Sequence, residues 1–412
     1  MTALAAEAVV ERPLGRGRAL GLLSLVILLG MDTWFSASAV LPQLREEWAV
    51  SGTAAAWLTI AVQLGFVAGA LVSATLNLAD VFPARNVIAV SALGAALSNI
   101  LLTQAGAAAP GIALRFATGF FLAGVYPPAV KVMATWYRSH ERGTAVGILV
   151  GASTFGYALP HLVNGLGDVP WRAVAIVTSV LTVVGAAVAV GLLRDGPYPF
   201  PRAVFDPSQV RKVFANRGVR LASLGYFGHM WELFAMWAWF FAFASDSFAA
   251  AGRPDPDAAG VTTFVVVGSG AVGCWLGGVL GDRWGRSRTT ALAMALSGTC
   301  ALTMGLLFGR SPWLLVALGV VWGLTVVADS AQFSTAVTEV ADQSYVGTAL
   351  TLQLAVGFTL TVATIWLVPI VRDAASWGWA FAMLALGPAV GIPAMLRLKS
   401  SPEAARIAGG RG

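Results

Sequence analysis

Charge is what this sequence has least of. Only 11% of its 412 residues are Asp, Glu, Lys or Arg, against about 25% in an ordinary soluble domain. With a mean hydropathy of +0.76, that deficit excludes a soluble globular chain. Cysteine is nearly absent: Cys274 and Cys300 are the two, each inside an apolar run. They offer no disulfide framework and no zinc site, and read as small core residues. Histidine occurs three times, with no repeated His or Met spacing to hold a soft metal. No metal and no cofactor is expected. The phosphate-cradling pattern G-x-x-x-x-G-K-S/T is missing, which excludes coupling to ATP hydrolysis within the chain. No nucleophile–base constellation stands out, so an enzyme is not expected. The 26 basic residues exceed the 20 acidic ones, but they flank apolar runs and read as orientation signals. No nucleic-acid partner is expected.

What is abundant is apolar length. A membrane helix needs about 20 mostly apolar residues. Runs that satisfy this lie near 19–43, 54–78, 86–106, 110–134, 143–165, 172–193, 220–246, 260–281, 289–309, 313–338, 346–371 and 376–396. The first is read as an uncleaved span, because it is long for a signal peptide and Asp32 interrupts it. The polar stretch 194–219, with four prolines, lies at mid-chain. It reads as a cytoplasmic linker between an N-terminal half, 1–193, and a C-terminal half, 220–412. If the N-terminus is cytosolic, 20 of the 26 basic residues fall on cytosolic segments and adjoining helix ends. Arg45, Arg115, Arg172, Arg253, Arg310 and Arg372 fall on the other side. That bias fits an even number of spans with both termini inside.

The halves repeat. Asp32 and Glu232 are 200 positions apart, Asp80 and Asp282 are 202 apart, and Gly143-Thr144-Ala145 and Gly347-Thr348-Ala349 are 204 apart. Three anchors at nearly one offset indicate a duplicated six-helix unit.

One turn concentrates charge between two apolar runs: Gly278-Val279-Leu280-Gly281-Asp282-Arg283-Trp284-Gly285-Arg286-Ser287-Arg288. Its G-x-x-x-D-R-x-G-R-x-R pattern resembles the loop 8–9 signature of the major facilitator superfamily of transporters. Arg115-Phe116-Ala117-Thr118-Gly119, Trp136-Tyr137 and Glu141-Arg142-Gly143 resemble the span 4–5 region of bacterial members. The resemblance implies an all-α membrane protein, with twelve transmembrane helices in two pseudo-symmetric six-helix halves. Spans one, four, five, seven and ten would line a central cavity, and spans three, six, nine and twelve would face lipid. It also implies that Gly278, Asp282, Arg283, Gly285, Arg286 and Arg288 form a gate. Asp282 would face the start of span five near Gly143, and Asp80 the start of span eleven near Gly347, in contacts that hold the outward-facing state. The first-half copy keeps Asp80 and Arg85, but has Leu76, Val81, Pro83 and Ala84 where Gly, Arg, Gly and Arg are expected. Nitrate porters near this group place an arginine in each of spans two and eight. Runs 54–78 and 260–280 hold no basic residue, so nitrate is not carried over as substrate.

A charge at the centre of a bilayer helix costs about 2.5–3.5 kcal/mol on the insertion scale, so each one needs a partner, a wet cavity or a function. The candidates for proton coupling or substrate binding are Asp32, Arg115, Lys131, Tyr157, His161, His229, Glu232 and Asp329. Lys131 and Arg115 lie near span ends and can snorkel. At helical spacing Asp32, Ser36 and Gln43 share a face, as do Ser153, Tyr157, His161 and Asn164. So do His229 with Glu232, and Thr325 with Asp329 and Gln332. Four polar stripes suggest one shared polar cavity, and His229 and Glu232 can share a proton. Glu339 reads as interfacial.

The expected function is secondary active transport of a small organic solute by alternating access, as proton symport. Proton antiport exporting cationic drugs is the alternative, and a non-transporting sensor on a transporter fold is a rival of another class. A monomer in a bacterial cytoplasmic membrane is expected, with the solute, protons and lipid as its partners.

Overall fold

The computed structural model describes residues 15–137, 142–167, 169–198, 206–342 and 344–412. Among the described residues there is no strand, and twelve helices are long and apolar enough to cross a membrane. They are α1 (Arg16–Phe35), α2 (Ala54–Thr75), α3 (Ala84–Gln104), α4 (Ala108–Trp136), α5 (Arg142–Asn164) and α6 (Trp171–Leu192), then α7 (Arg217–Ala250), α8 (Pro256–Trp284), α9 (Arg286–Leu307), α10 (Pro312–Val340), α11 (Val346–Ala374) and α12 (Trp377–Lys399). The start of α1, the α6–α7 connection and the end of α12 lie at one end of the bundle, called here the terminal face. The basic lead at Arg12 and linker residues 199–205 fall outside the described residues.

The duplicated sequence becomes a duplicated structure. α4 is broken between Leu122 and Tyr126, and α10 between Val326 and Ser330. These positions are again 204 apart. In α4 the second segment restarts on Pro127-Pro128 in its first turn, where the missing N–H groups cost no helical hydrogen bond. Close helix packing repeats as well. A Cβ on Gly65 or Gly69 of α2 would run into the backbone of Phe116 and Phe120 on α4; one on Gly273 or Gly277 of α8 would meet Leu324 and Ala328 on α10. Small residues four apart let two backbones touch, which drives helix association where no water is available to be expelled.

The lipid-side surface is apolar. Leu93 and Leu97 on α3, Val180 and Val184 on α6, Leu292 and Leu296 on α9, and Leu386 and Val390 on α12 are all exposed.

The halves meet in two ways. α5 and α8 lie against each other along their length, because glycines alternate across the seam. Gly147 approaches the carbonyl of Cys274, Gly151 that of Ala271, and Gly260 that of His161. Elsewhere they meet in an aromatic group at mid-depth. Phe66 of α2 and Phe358 of α11 have ring centroids 4.7 Å apart, and Phe234 of α7 lies 5.1 Å from Phe358. Trp34 and Phe35 of α1 and Trp237 of α7 close the group.

Candidate functional site

A cavity of about 410 Å³ runs from that aromatic group to the terminal face. Each contributing helix offers one stripe, at steps of three and four. α2 gives Phe66, Ala70 and Ala74, with Asn77 just past its end, and α11 gives Gly347, Leu350, Leu354 and Phe358. α4, α5, α7 and α10 supply the remaining walls, with Met31 from α1, while α3, α6, α9 and α12 contribute nothing. α2 and α11 escaped notice in the sequence because their stripes carry no ionisable residue. On the far side of the aromatic group lies a second hollow of about 470 Å³, lined by Gln43, Glu46, Asn164 and Asp257 among others. Gln43 closes part of it. Its amide nitrogen donates to Asn164 Oδ1 and to the Val169 carbonyl, at 3.3 Å each, and Trp171 N donates to its Oε1 at 2.8 Å.

Of the eight candidate site residues, Lys131 and Tyr157 line the central cavity. The other six are buried behind its wall, so the four polar stripes do not form one shared cavity. Asp32 sits where α1 gives way to a 3-10 turn, Asp32–Phe35, and is fully shielded. Thr182 of α6 donates to its Oδ1 at 2.8 Å. Arg115 is also fully buried rather than snorkelled. The turn in α1 frees backbone carbonyls that need donors in a dry interior. Arg115 supplies them, donating to Thr33 O at 2.9 Å and to Trp34 O, and also to Ser36 Oγ at 3.0 Å and Asn99 Oδ1 at 3.1 Å. Asn99, on α3, is tied in turn to Thr178 and Ser179 of α6 at 3.0 Å.

In the C-terminal half, Glu232 and His229 part company. Glu232 accepts from Trp322 Nε1 of α10 at 2.7 Å and from Ser297 Oγ of α9 at 2.8 Å. His229 Nδ1 lies instead 2.9 Å from Asp329 Oδ1, at the break in α10. Residues three apart point about 60° away from each other around a helix, enough for Glu232 to reach α9 and the first segment of α10 while His229 reaches the break in α10. His161 is buried on α5, its ring centroid 5.8 Å from that of Phe241 on α7. Sequence reasoning missed Asn99, Thr178, Ser179, Thr182, Ser297 and Trp322, because neutral donors in apolar helices leave no signal. The spans expected to face only lipid thus also carry the partners of the buried charges.

At the terminal face, Asp282 of α8 accepts from Thr144 Oγ1 at the start of α5, at 3.1 Å. A Cβ on Gly143 would come within 2.6 Å of Asp282 Oδ1, so the approach depends on glycine. Gly278 faces the Gly143–Thr144 backbone, and Gly285 turns the chain at φ 94°. Arg286 makes a two-pronged pair with Glu339 of α10, at 2.9 and 2.8 Å, and donates to Gln332 Oε1 at 2.8 Å. Glu339 is therefore a structural partner rather than an interfacial acid. Arg283 and Arg288 are exposed, and Arg85 is half-buried. The Asp80 side chain lies outside the described residues. The segment Pro402–Gly409 packs beneath the turn, with Ala408 N donating to Glu339 Oε2 at 3.1 Å and Arg411 to the Asp282 carbonyl at 2.5 Å. One expectation changes here. The Asp282–Thr144 contact is made while the cavity reaches this same face, so the contact does not by itself mark a state closed there. The cavity reaches the face beside α2, α4, α10 and α11 instead.

Residues 22–274 match the family model described as Major Facilitator Superfamily. The chain belongs to the Major Facilitator Superfamily. It is a multi-pass membrane protein of that superfamily, built on the twelve-helix fold. Its architecture is similar to that of a bacterial homologue of the human lysosomal transporter Spinster, solved inward-facing and unoccupied. The TM-score is 0.63 and the identity 15%, over 95% of this chain and 96% of that one. Among curated proteins, an uncharacterized transporter of Saccharomyces cerevisiae, ESBP6, is 25% identical over 44% of this chain and 28% of its own length. The puromycin resistance protein pur8 of Streptomyces alboniger is 32% identical over 31% of this chain and 25% of its own length. The putative uncharacterized transporter YgaY of Escherichia coli is 29% identical over 43% and 44% respectively. The matches thus span less than half the length of these superfamily relatives.

Proposed function

We propose that this chain is a proton-coupled secondary transporter that takes up a small organic solute by alternating access. The observation that carries the reading is the central cavity, which reaches one face and is stopped at mid-depth by the aromatic group. A solute held there faces one side of the membrane at a time. Rocking of the halves 1–193 and 220–412 about the α5–α8 seam would move the opening to the other side, with 194–219 as the connecting linker. Proton coupling is supported by the three carboxyls enclosed in the helices. Asp32 and Glu232 accept from neutral donors, Asp329 lies against His229, and none touches an arginine in the bonds described. A carboxyl enclosed in a span needs a partner or a function, and one beside a moving wall can exchange a proton as that wall moves. The basic bias of the terminal face favours a cytoplasmic location for both termini in a bacterial cytoplasmic membrane, with the chain acting as a monomer.

Export of a cationic compound is the second reading, favoured by similarity to a puromycin resistance protein. Against it, no acid lines the cavity among the described residues.

Reconstitution into proteoliposomes with an internal pH dye tests the proposal. Solute addition is expected to acidify the lumen for symport. Solute movement that ignores a pH gradient of either sign would remove proton coupling and leave a uniporter.

A further inference from the structure

We propose that the aromatic group between the two hollows is the solute's recognition site when the halves part on the far side, and that Gln63 there reads the amide-type edge of a neutral, flat solute. This deepens the transport reading and rests on it for the parting of the halves. The barrier between the hollows is thin. α5 and α7 each line both: Tyr157 and Trp237 face the central cavity, Asn164 and Phe241 the far hollow. On α7 only four residues separate the two, about 6 Å at helical rise.

That barrier holds polar groups without partners. Gln63 of α2 is fully shielded, and neither its Nε2 nor its Oε1 finds a hydrogen bond. Among the described residues it is the one buried side-chain amide with both ends unmet. Trp34 Nε1, Trp237 Nε1 and His161 Nδ1 are buried and unmet as well. Protein interiors keep few such groups, so a concentration of them asks for a reason. Gln63 also continues the cavity lining. It stands one turn beyond Phe66 on the stripe Phe66–Ala70–Ala74, at steps of three, four and four. The polar residue one turn further on, Thr59, is already engaged, its Oγ1 2.7 Å from Ser38 Oγ.

The unmet atoms define the ligand. An amide with both ends unmet matches a group that sets one N–H beside one C=O, as a lactam or a carboxamide does. A carboxylate would answer Nε2 and leave Oε1. An ammonium would answer Oε1 and leave Nε2 and both indoles, which only donate. Gln63, Trp34 and Trp237 carry no charge to offset a charged head, and burying an unpaired charge is costly. The rings set the body. The Trp34 centroid lies 4.9 Å from that of Phe66 and 5.7 Å from those of Phe234 and Phe358. Trp34 and Phe66 belong to the N-terminal half, Phe234 and Phe358 to the other. Parting of the halves therefore separates aromatic faces between which a flat body fits.

Three matched probes test the class: 2-quinolinone, its N-methyl form and the 1-methylquinolinium cation. They share a flat body and differ in the edge: N–H beside C=O, C=O alone, and a positive charge with neither. Binding is measured by equilibrium dialysis with the full chain in nanodiscs. 2-Quinolinone is expected to bind at least about tenfold tighter than the other two, because a site built to hydrogen-bond an N–H rejects the analogue that lacks it. Gln63→Leu should abolish that preference and melt no lower than the parent, since it replaces unmet polar atoms by apolar ones. If Gln63→Leu fails to fold, Gln63→Met decides by the same measure. Equal binding of 2-quinolinone and its N-methyl form, tighter binding of the cation, or no binding of 2-quinolinone overturns the assignment. So does a preference that survives in the variant, or a folded variant that melts well below the parent, which would make Gln63 a structural residue. Counterflow with the same probes separates the two levels. Lactam-selective binding without counterflow would keep the recognition site and remove the transport reading. Counterflow that treats 2-quinolinone and its N-methyl form alike would keep transport and remove recognition by Gln63.

Discussion

His229 on α7 and Asp329 on α10 face each other across the C-terminal half, with Nδ1 and Oδ1 2.9 Å apart and both side chains almost wholly shielded. Asp329 stands where α10 is interrupted, immediately before the segment Ser330–Val340 that helps to line the cavity. Any change in the charge of the pair is therefore felt at a discontinuity in the cavity wall. Asp329→Asn removes the carboxyl and keeps the shape. It is expected to lower pH-driven uptake at least about tenfold, the effect of about 1.4 kcal/mol on a rate-limiting step, while solute counterflow continues. If pH-driven uptake and counterflow fall together, the pair is a structural brace and not a proton site.

Arg115 makes a separate prediction, about stability. Its guanidinium supplies donors to the carbonyls freed by the turn in α1 and ties that turn to Asn99. Arg115→Leu takes this donor from the Trp34 carbonyl, at about 1–3 kcal/mol, and leaves Thr33 O and Asn99 Oδ1 to share the single Ser36 hydroxyl. A markedly lower melting temperature in detergent is expected. Arg115→Lys should recover little of it, since a single ammonium cannot reproduce a five-donor fork. Full recovery with lysine would show that charge matters here and geometry does not.

Gly143 permits the contact between α5 and the α8–α9 turn. A methyl group there would press on Asp282 Oδ1, which would have to move away from Thr144. Gly143→Ala is expected to slow transport with little change in solute binding, because the cavity lining is untouched. Thr144→Val, which removes the donor without adding bulk next to Asp282, should act in the same direction and more weakly. Loss of solute binding in either variant would place the seam in the site itself.

The twelve helices were legible because apolar length and a fixed repeat offset survive without knowledge of any contact. The loop between α8 and α9 was legible because its charges are rare and its spacing is specific. The partners of the buried charges were not. Ser297 and Thr182 look like ordinary small residues in apolar helices, and only the packing shows that they face Glu232 and Asp32. His229 and Glu232 share a helix face by spacing, yet the choice of partner fell to α10, because local periodicity cannot rank contacts between helices. Lys131 read as a snorkelling residue, and the break in α4 turns its segment towards the cavity instead.

The far face offers a pH test whose sign is fixed in advance. Glu47, in the short helix Leu41–Glu47, accepts from Arg172 Nη2 at 2.6 Å and from Trp171 Nε1 at 2.6 Å. The Arg172 hydrogen bond, followed by that of Trp171, holds the Glu47 carboxyl below its ordinary value. A carboxyl lowered in the folded state stabilises it fully above the unfolded value, about 4.3, and loses that contribution as pH falls through the folded value. The melting temperature of the parent should therefore exceed that of Glu47→Gln at neutral pH, with the gap closing below about pH 4. The effect should be small and should shrink in salt, because the two side chains are 47% and 38% exposed. A gap that widens as the solution is acidified would show that the neutral carboxyl is the favoured partner and would reverse the assignment.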